Sequence, residues 1–218
     1  SRRLGQYRVS LDDDLRVPLA HWLVLVKVRA QKRLLREALA VRADLRHALT
    51  VAVQRLDNIM NQLRADSSMP SLPSLRGFEG AAASAYFSGF TQLFAPSLNF
   101  TGRKKRPAPD PVNACLSLGY TLLHHDAVHA CHIAGLDTML GFYHDISFGR
   151  ESLPCDLMEP LRPLIDRWVW QMFRNRDLRA EHFSDDNGRC LLNKSGRKHF
   201  YGFYESNSDP ARRLLRRY

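Results

Sequence analysis

Glu79 stands among Gly77, Phe78, Gly80, Ala81, Ala82 and Ala83, small or apolar neighbours that suit close packing and leave a carboxylate in want of a cation. Asp156 and Glu159 lie three residues apart in a stretch with helical character, so both carboxylates point along one face and can share a divalent ion. His144 precedes them in a connector. One imidazole and carboxylates from separate elements make a mixed nitrogen and oxygen site suited to Mg²⁺ or Mn²⁺, whereas thiolates would point to zinc. Each residue also has a plainer reading: Glu79 as an acid near a helix start complementing the macrodipole, His144 as a structural hydrogen-bonder.

A second cluster comprises His124, His125, His129 and His132, in which His125 and His129 have the i, i+4 spacing of zinc-binding helices. No Glu occupies the H-E-x-x-H position, and histidines on a polar or DNA-facing helix side are the favoured reading. Arg103, Lys104, Lys105 and Arg106 can neutralise phosphates, as can Arg212, Arg213, Arg216 and Arg217. Each such contact adds about 0.9 to the salt slope of duplex binding. Phosphate contact is the favoured reading for the first run; for the second, a solvated charge run fits equally. Trp168 and Trp170 read as core.

The elements that must position these groups are helical. Pro18, then Leu19, Trp22, Leu23, Val26, Ala30, Leu34 and Leu35 at helical spacing, predict a helix over 16–40, and Leu45, Leu49, Val53, Leu56, Met60 and Leu63 predict a second over 42–65, paired with it as a hairpin. After a Ser- and Pro-rich connector at 67–74, the spacing predicts a helix over 78–94 with Glu79 near its start. Residues 98–111, with their basic run and three prolines, are expected to form a mobile basic loop. Asp110 before Pro111 is a helix-start signature, and Gly135 closes the apolar helix that follows. A further helix over 153–173 should kink or start late near Pro160 and Pro163, a turn is expected at 185–188, and 198–205 reads as helical. The fold class expected is all-α: a connector over 1–15, a helical catalytic domain over 16–205 and a basic tail over 206–218.

A 218-residue chain with 44% hydrophobic residues can bury a core, which excludes disorder. Lys and Arg number 32 against 22 Asp and Glu, a formal charge of +10 that calls for a polyanionic partner. Cys115, Cys131, Cys155 and Cys190 are widely spaced without a C-x-x-C pair, which suits a reducing cytoplasm. The apolar run around Trp22 to Val28 is interrupted by Lys27 far short of the roughly 20 residues a membrane span needs, so no membrane is expected. The chain opens at Ser1 rather than Met, and a fragment or processed chain is expected.

Several segments together resemble one family. Leu75-Arg76-Gly77-Phe78-Glu79-Gly80-Ala81-Ala82-Ala83 is similar to an L-x-G-x-E-G-x-A-A motif, and Asp110-Pro111-Val112-Asn113-Ala114 to D-P-V-N-A. Gly135-Leu136-Asp137 with Leu140-Gly141-Phe142-Tyr143-His144 resembles G-L-D-P-x-x-G-x-x-H, and Asp156-Leu157-Met158-Glu159-Pro160-Leu161-Arg162-Pro163 resembles D-L-M-E-x-x-R-P. The family is the CRISPR-associated integrase that inserts new spacers and also shows nuclease activity. Thr138 stands where the family commonly has proline, and the family's N-terminal β-rich domain is not visible before Ser1.

The resemblance implies that Glu79, His144 and Glu159 are metal ligands, with Asp156 a supporting acid, and that Mg²⁺ or Mn²⁺ serves an attack by a 3′-hydroxyl on a phosphodiester. It implies DNA partners (short prespacer fragments and the CRISPR repeat), a homodimer and a small non-catalytic adaptation subunit. The sequence looks closest to a branch fused behind a reverse transcriptase. Two alternatives remain open: a structure-selective metal nuclease without integration, and a non-catalytic basic helical scaffold for nucleic acid.

Overall fold

The computed structural model describes residues 2–65, 69–104 and 107–217; Ser67, Ser68, Lys105 and Arg106 of the expected connector and basic run lie outside the described residues. Helix α1 spans Arg2–Leu11, α2 Asp13–Val41, α3 Arg46–Ala65, α4 Leu72–Phe90 and α5 Pro111–Ala134. Then come α6 (Ser152–Met158), α7 (Arg162–Arg174), the strands β1 (Phe183–Asp186) and β2 (Arg189–Leu192), α8 (Lys194–Asn207) and α9 (Asp209–Leu215). The all-α expectation holds apart from this one short hairpin.

The α2–α3 hairpin forms as expected and α4 packs into it. Leu23, Leu34 and Leu35 of α2, Leu49, Leu56 and Leu63 of α3, and Leu75, Tyr86 and Phe90 of α4 are all buried in one core with Leu116 and Leu123 of α5. Trp168 and Trp170 of α7 join it, as their pattern predicts. Helix α5 starts and stops on the signals read from sequence. Asp110 caps it by accepting from Asn113 N at 2.8 Å, and Gly135 ends it at φ 71°, in the left-handed region.

Several of the expected boundaries differ. The expected connector over 1–15 is α1, plus the start of α2. Asp12 caps α2 by accepting from Asp14 N, and Asp13 and Asp14 favour its first turn, so Pro18 falls inside the helix rather than in its first turn. Ser71 caps α4 and Pro73 suits its first turn, so that helix begins at Leu72 and Glu79 sits two turns in. This removes the reading of Glu79 as an acid at a helix start. At the described end of the basic loop, Arg103 is not a mobile side chain: it donates to Asn113 Oδ1 and Ser117 Oγ of α5, both at 3.0 Å.

The expected helix over 153–173 breaks into α6 and α7 with a tight turn at Glu159–Leu161, because Pro160 has no N–H to continue the ladder. The turn at 185–188 is a two-residue hairpin, with Asn187 and Gly188 at φ 53° and 78° and Phe183 paired with Leu192. The helix expected over 198–205 is longer, as α8. The basic tail is largely α9, docked by buried Ala211 and Leu215, and Arg212 is tied to Asp126 and Glu205 rather than free.

Candidate active site

Asp156, fully buried on α6, organises the site. Its Oδ2 accepts from the backbone N–H of Phe142 (2.7 Å) and Tyr143 (2.9 Å), and its Oδ1 from His144 N (3.0 Å) and His144 Nδ1 (2.6 Å). A carboxylate only accepts, so Nδ1 carries a proton, and in the neutral imidazole Nε2 is then the nitrogen with the lone pair. Gly141 makes this possible: a Cβ there would lie 2.6 Å from Asp156 Oδ2. The loop is clamped from outside as well. Asp145 accepts from Arg16 Nη2 (2.7 Å) and Arg76 Nη2 (2.5 Å), and Gln6 of α1 donates to the carbonyls of Asp137 and Leu140.

Glu159, 4% exposed, hangs from the turn between α6 and α7. Asp156 and Glu159, three residues apart, take different partners: one accepts from the His144 loop, the other from a lysine. Lys27 of α2 donates to Glu159 Oε2 at 2.5 Å and also to Glu79 Oε1. Arg162 Nε holds Glu159 Oε1 at 2.8 Å, and the Tyr143 hydroxyl holds Glu79 Oε2 at 2.6 Å. Burial alone raises the Glu159 pKa, but Lys27 and Arg162 outweigh it and hold the carboxyl below its usual range. For Lys27, burial alone lowers the pKa; the two carboxylates reverse this and hold the ammonium charged. Burial and Glu79 raise the Tyr143 pKa, so it remains a hydroxyl donor. His144 is near enough to Glu159 for its charge to matter there.

The structure thus gathers Glu79, His144, Asp156 and Glu159 in one region. Among the described residues, no three His, Cys, Asp or Glu side chains converge as a ready metal cluster. The position where Glu79 and Glu159 meet is taken by the Lys27 ammonium, a stand-in cation that shows the pair accommodates positive charge. Two carboxylates, with an imidazole whose second nitrogen is pinned, form a donor set that fits Mg²⁺ or Mn²⁺.

The histidine cluster of α5 gathers no such set. His124 lies 3.7 Å from Glu151, and burial lowers its pKa. Beside the site a cavity of about 460 Å³ is lined by Arg103, Ser117, Tyr120, His124 and Arg162, with both guanidinium groups near the Tyr120 ring. Lys27, Tyr143 and Arg162 were missed as site residues. Lys27 had a visible signal: a lone cation within Leu23-Val24-Leu25-Val26-Lys27-Val28 on a buried helix requires a partner.

The family described as CRISPR associated protein Cas1 matches residues 1–206. A CRISPR-associated endonuclease Cas1 of Thermodesulfovibrio yellowstonii is 39% identical over 218 residues, covering 98% of this chain and 67% of that protein. Among solved structures, a CAS1 protein from Thermotoga maritima superposes with a TM-score of 0.84 at 22% identity, covering 98% of this chain and 66% of its own. A casposase bound to integration product gives 0.77 at 21% identity, covering 94% and 56%. A Cas6-RT-Cas1–Cas2 complex gives 0.81 at 24% identity, covering 99% and 22%. The chain therefore spans about two thirds or less of these proteins. The helical fold, the acid–histidine arrangement and the 39% identity carried across nearly all of the chain lead to one conclusion: it belongs to the family of the CRISPR associated protein Cas1.

Proposed function

We propose that the chain is the catalytic part of a metal-dependent DNA integrase and endonuclease that inserts short fragments into a CRISPR array. The observation that carries this is the pair of carboxylates, Glu79 from α4 and Glu159 from the α6–α7 turn, meeting around one cation beside His144. Glu79, Glu159 and His144 Nε2 would hold Mg²⁺ or Mn²⁺. When bound, the ion supplies positive charge to the oxygens of the reacting phosphate.

The chain's own residues do the rest. Asp156 fixes the tautomer and aim of His144, while Tyr143 and Arg162 fix the outer oxygens of Glu79 and Glu159. Arg162 and Arg103 line the neighbouring cavity and would place the DNA backbone there, reading charge rather than bases; Lys104, Lys105 and Arg106, next to Arg103 in the sequence, are assigned the same phosphate-contacting role in this reading. In the reaction a fragment's 3′-oxygen bonds to phosphorus, the repeat's own P–O3′ bond breaks, and the released 3′-oxygen takes a proton. One ester replaces another, so no energy cofactor is required. Water in place of the hydroxyl gives cleavage.

The partners read with this function are a second copy of the chain and a small non-catalytic subunit; a fold neighbour solved in a complex with Cas2 supports the second of these. That neighbour also carries a reverse transcriptase, which supports the reading of this chain as part of such a fusion. Residues 16–205 are the catalytic unit in this reading, with α1 bracing the His144 loop. Four unpaired cysteines suit a reducing cytoplasm, and among the described residues no helix is long and apolar enough to cross a membrane.

The test supplies Mn²⁺, a duplex repeat, and a fragment ending in either a 3′-hydroxyl or a 3′-hydrogen. Joined product only with the hydroxyl supports integration. Cleavage that is equal with both ends and leaves no joined product favours the nuclease reading.

A further inference from the structure

We propose that Lys27 and the divalent ion are alternative occupants of the position between Glu79 and Glu159, with Gln31 receiving the displaced ammonium. The inference rests on the metal reading above and adds to it a built-in competitor and a place for that competitor to go.

Lys27 is 8% exposed, and its ammonium is shared between the two carboxylates. Without it, two ionised carboxylates would face one another in a largely buried setting, with only Arg162 on Glu159 and the Tyr143 hydroxyl on Glu79 to offset the cost. The lysine therefore keeps both carboxylates aimed at a common point while the ion is away. A divalent ion entering at that point cannot coexist with the ammonium there. Lysine suits this exchange because its charge rides on a flexible four-carbon stem, whereas a guanidinium fork would hold its pairing rigidly.

Gln31 supplies the second observation. It lies four residues after Lys27 on α2, on the same helix face, and is 4% exposed. Its Oε1 is buried and accepts no hydrogen bond among the described residues. Side chains on a helix tilt toward its N-terminus, so Gln31 leans toward the turn that carries Lys27. A buried acceptor without a donor is costly and rare, and here it stands one helical turn from an ammonium that has to vacate its place. An ammonium withdrawn from the carboxylates and hydrogen-bonded to Gln31 satisfies both needs without moving the helix.

Electron paramagnetic resonance titration of Mn²⁺ into wild type, Lys27→Met, Gln31→Leu and Glu79→Gln decides the matter, with melting temperatures taken in EDTA and in Mn²⁺. Lys27→Met should bind Mn²⁺ at least about tenfold more tightly, since no paired ammonium has to be displaced. It should also melt below wild type in EDTA and recover with Mn²⁺. Gln31→Leu should bind Mn²⁺ several-fold more weakly without melting earlier in EDTA. An unchanged or weaker affinity in Lys27→Met, a Lys27→Met protein whose fold Mn²⁺ does not restore, or an unchanged affinity in Gln31→Leu overturns the proposal. Failure of the metal reading itself looks different: wild type binds no Mn²⁺, or Glu79→Gln binds it as well as wild type does.

Discussion

His144 Nδ1 lies 2.6 Å from Asp156 Oδ1, and the same carboxylate accepts the backbone N–H of residues 142, 143 and 144. One buried acid thus sets both the path of the loop and the ring orientation of the histidine it carries. Stability and chemistry are coupled at this residue.

Asp156→Asn loses acceptor capacity toward four donors and puts an amide NH₂ where N–H groups already point. The expected loss is about 3 kcal/mol of unfolding free energy, read from urea denaturation. Mn²⁺ affinity should fall by about 10- to 100-fold in the fraction that stays folded, because the imidazole is no longer aimed. A variant with normal stability and normal affinity would show that the carboxylate is a bystander.

Asp166, fully buried beneath the hydroxyls of Tyr86 and Tyr120, has its pKa pushed up by burial to about 6, with the two hydroxyls opposing the rise. The folded pKa is above the unfolded one, so the folded state binds this proton more tightly. The contribution is fully present below about pH 4 and is lost as pH rises through 6. It amounts to about 3 kcal/mol, from 1.36 kcal/mol per unit. Asp166→Asn should flatten that part of the stability profile, measured by urea unfolding between pH 4 and 7.5; a profile identical to wild type contradicts the assignment.

Arg103→Gln should lower the slope of log affinity against log salt by about 0.9 for duplex DNA, the signature of one lost phosphate contact. Equal slopes would confine Arg103 to holding its loop on Asn113 and Ser117.

Arg212→Ala should behave in the opposite way. Arg212 is committed to Asp126 and Glu205, with Nε 3.1 Å from Asp126 Oδ1 and Nη2 2.9 Å from Glu205 Oε1. The variant should lose about 1 kcal/mol through weaker docking of α9 and leave the DNA salt slope unchanged. A reduced slope would return this segment to the phosphate-binding surface.

How much was legible follows from the kind of signal. Periodic apolar stripes gave away the α2–α3 hairpin, and cap chemistry at Asp110, Pro111 and Gly135 marked both ends of α5, because these are local. Glu79, His144, Asp156 and Glu159 were each named, and the family resemblance already set Asp156 apart as a supporting acid beside three ligands. Spacing placed Asp156 and Glu159 on one face but could not show their partners, the His144 loop for one and Lys27 and Arg162 for the other, because those lie far along the chain or across a turn. Lys27 passed as a mere interruption of an apolar run because its partners lie in α4 and the α6–α7 turn, far along the chain. Helix α1 went unread because it buries no side chain and shows its purpose only through Gln6 and Tyr7 reaching the loop at Asp137.

The most direct measurement follows strand resealing and flap release on a branched duplex that mimics a half-integrated fragment. It compares wild type with Glu79→Ala, His144→Ala and Glu159→Ala, in Mn²⁺ and in EDTA, with DNA binding recorded for each. Wild type should reseal the duplex only with Mn²⁺, and each variant should lose at least about a hundredfold in rate while binding DNA as before. Four proteins that behave alike, or resealing that persists in EDTA, would contradict a metal-dependent transfer at Glu79, His144 and Glu159.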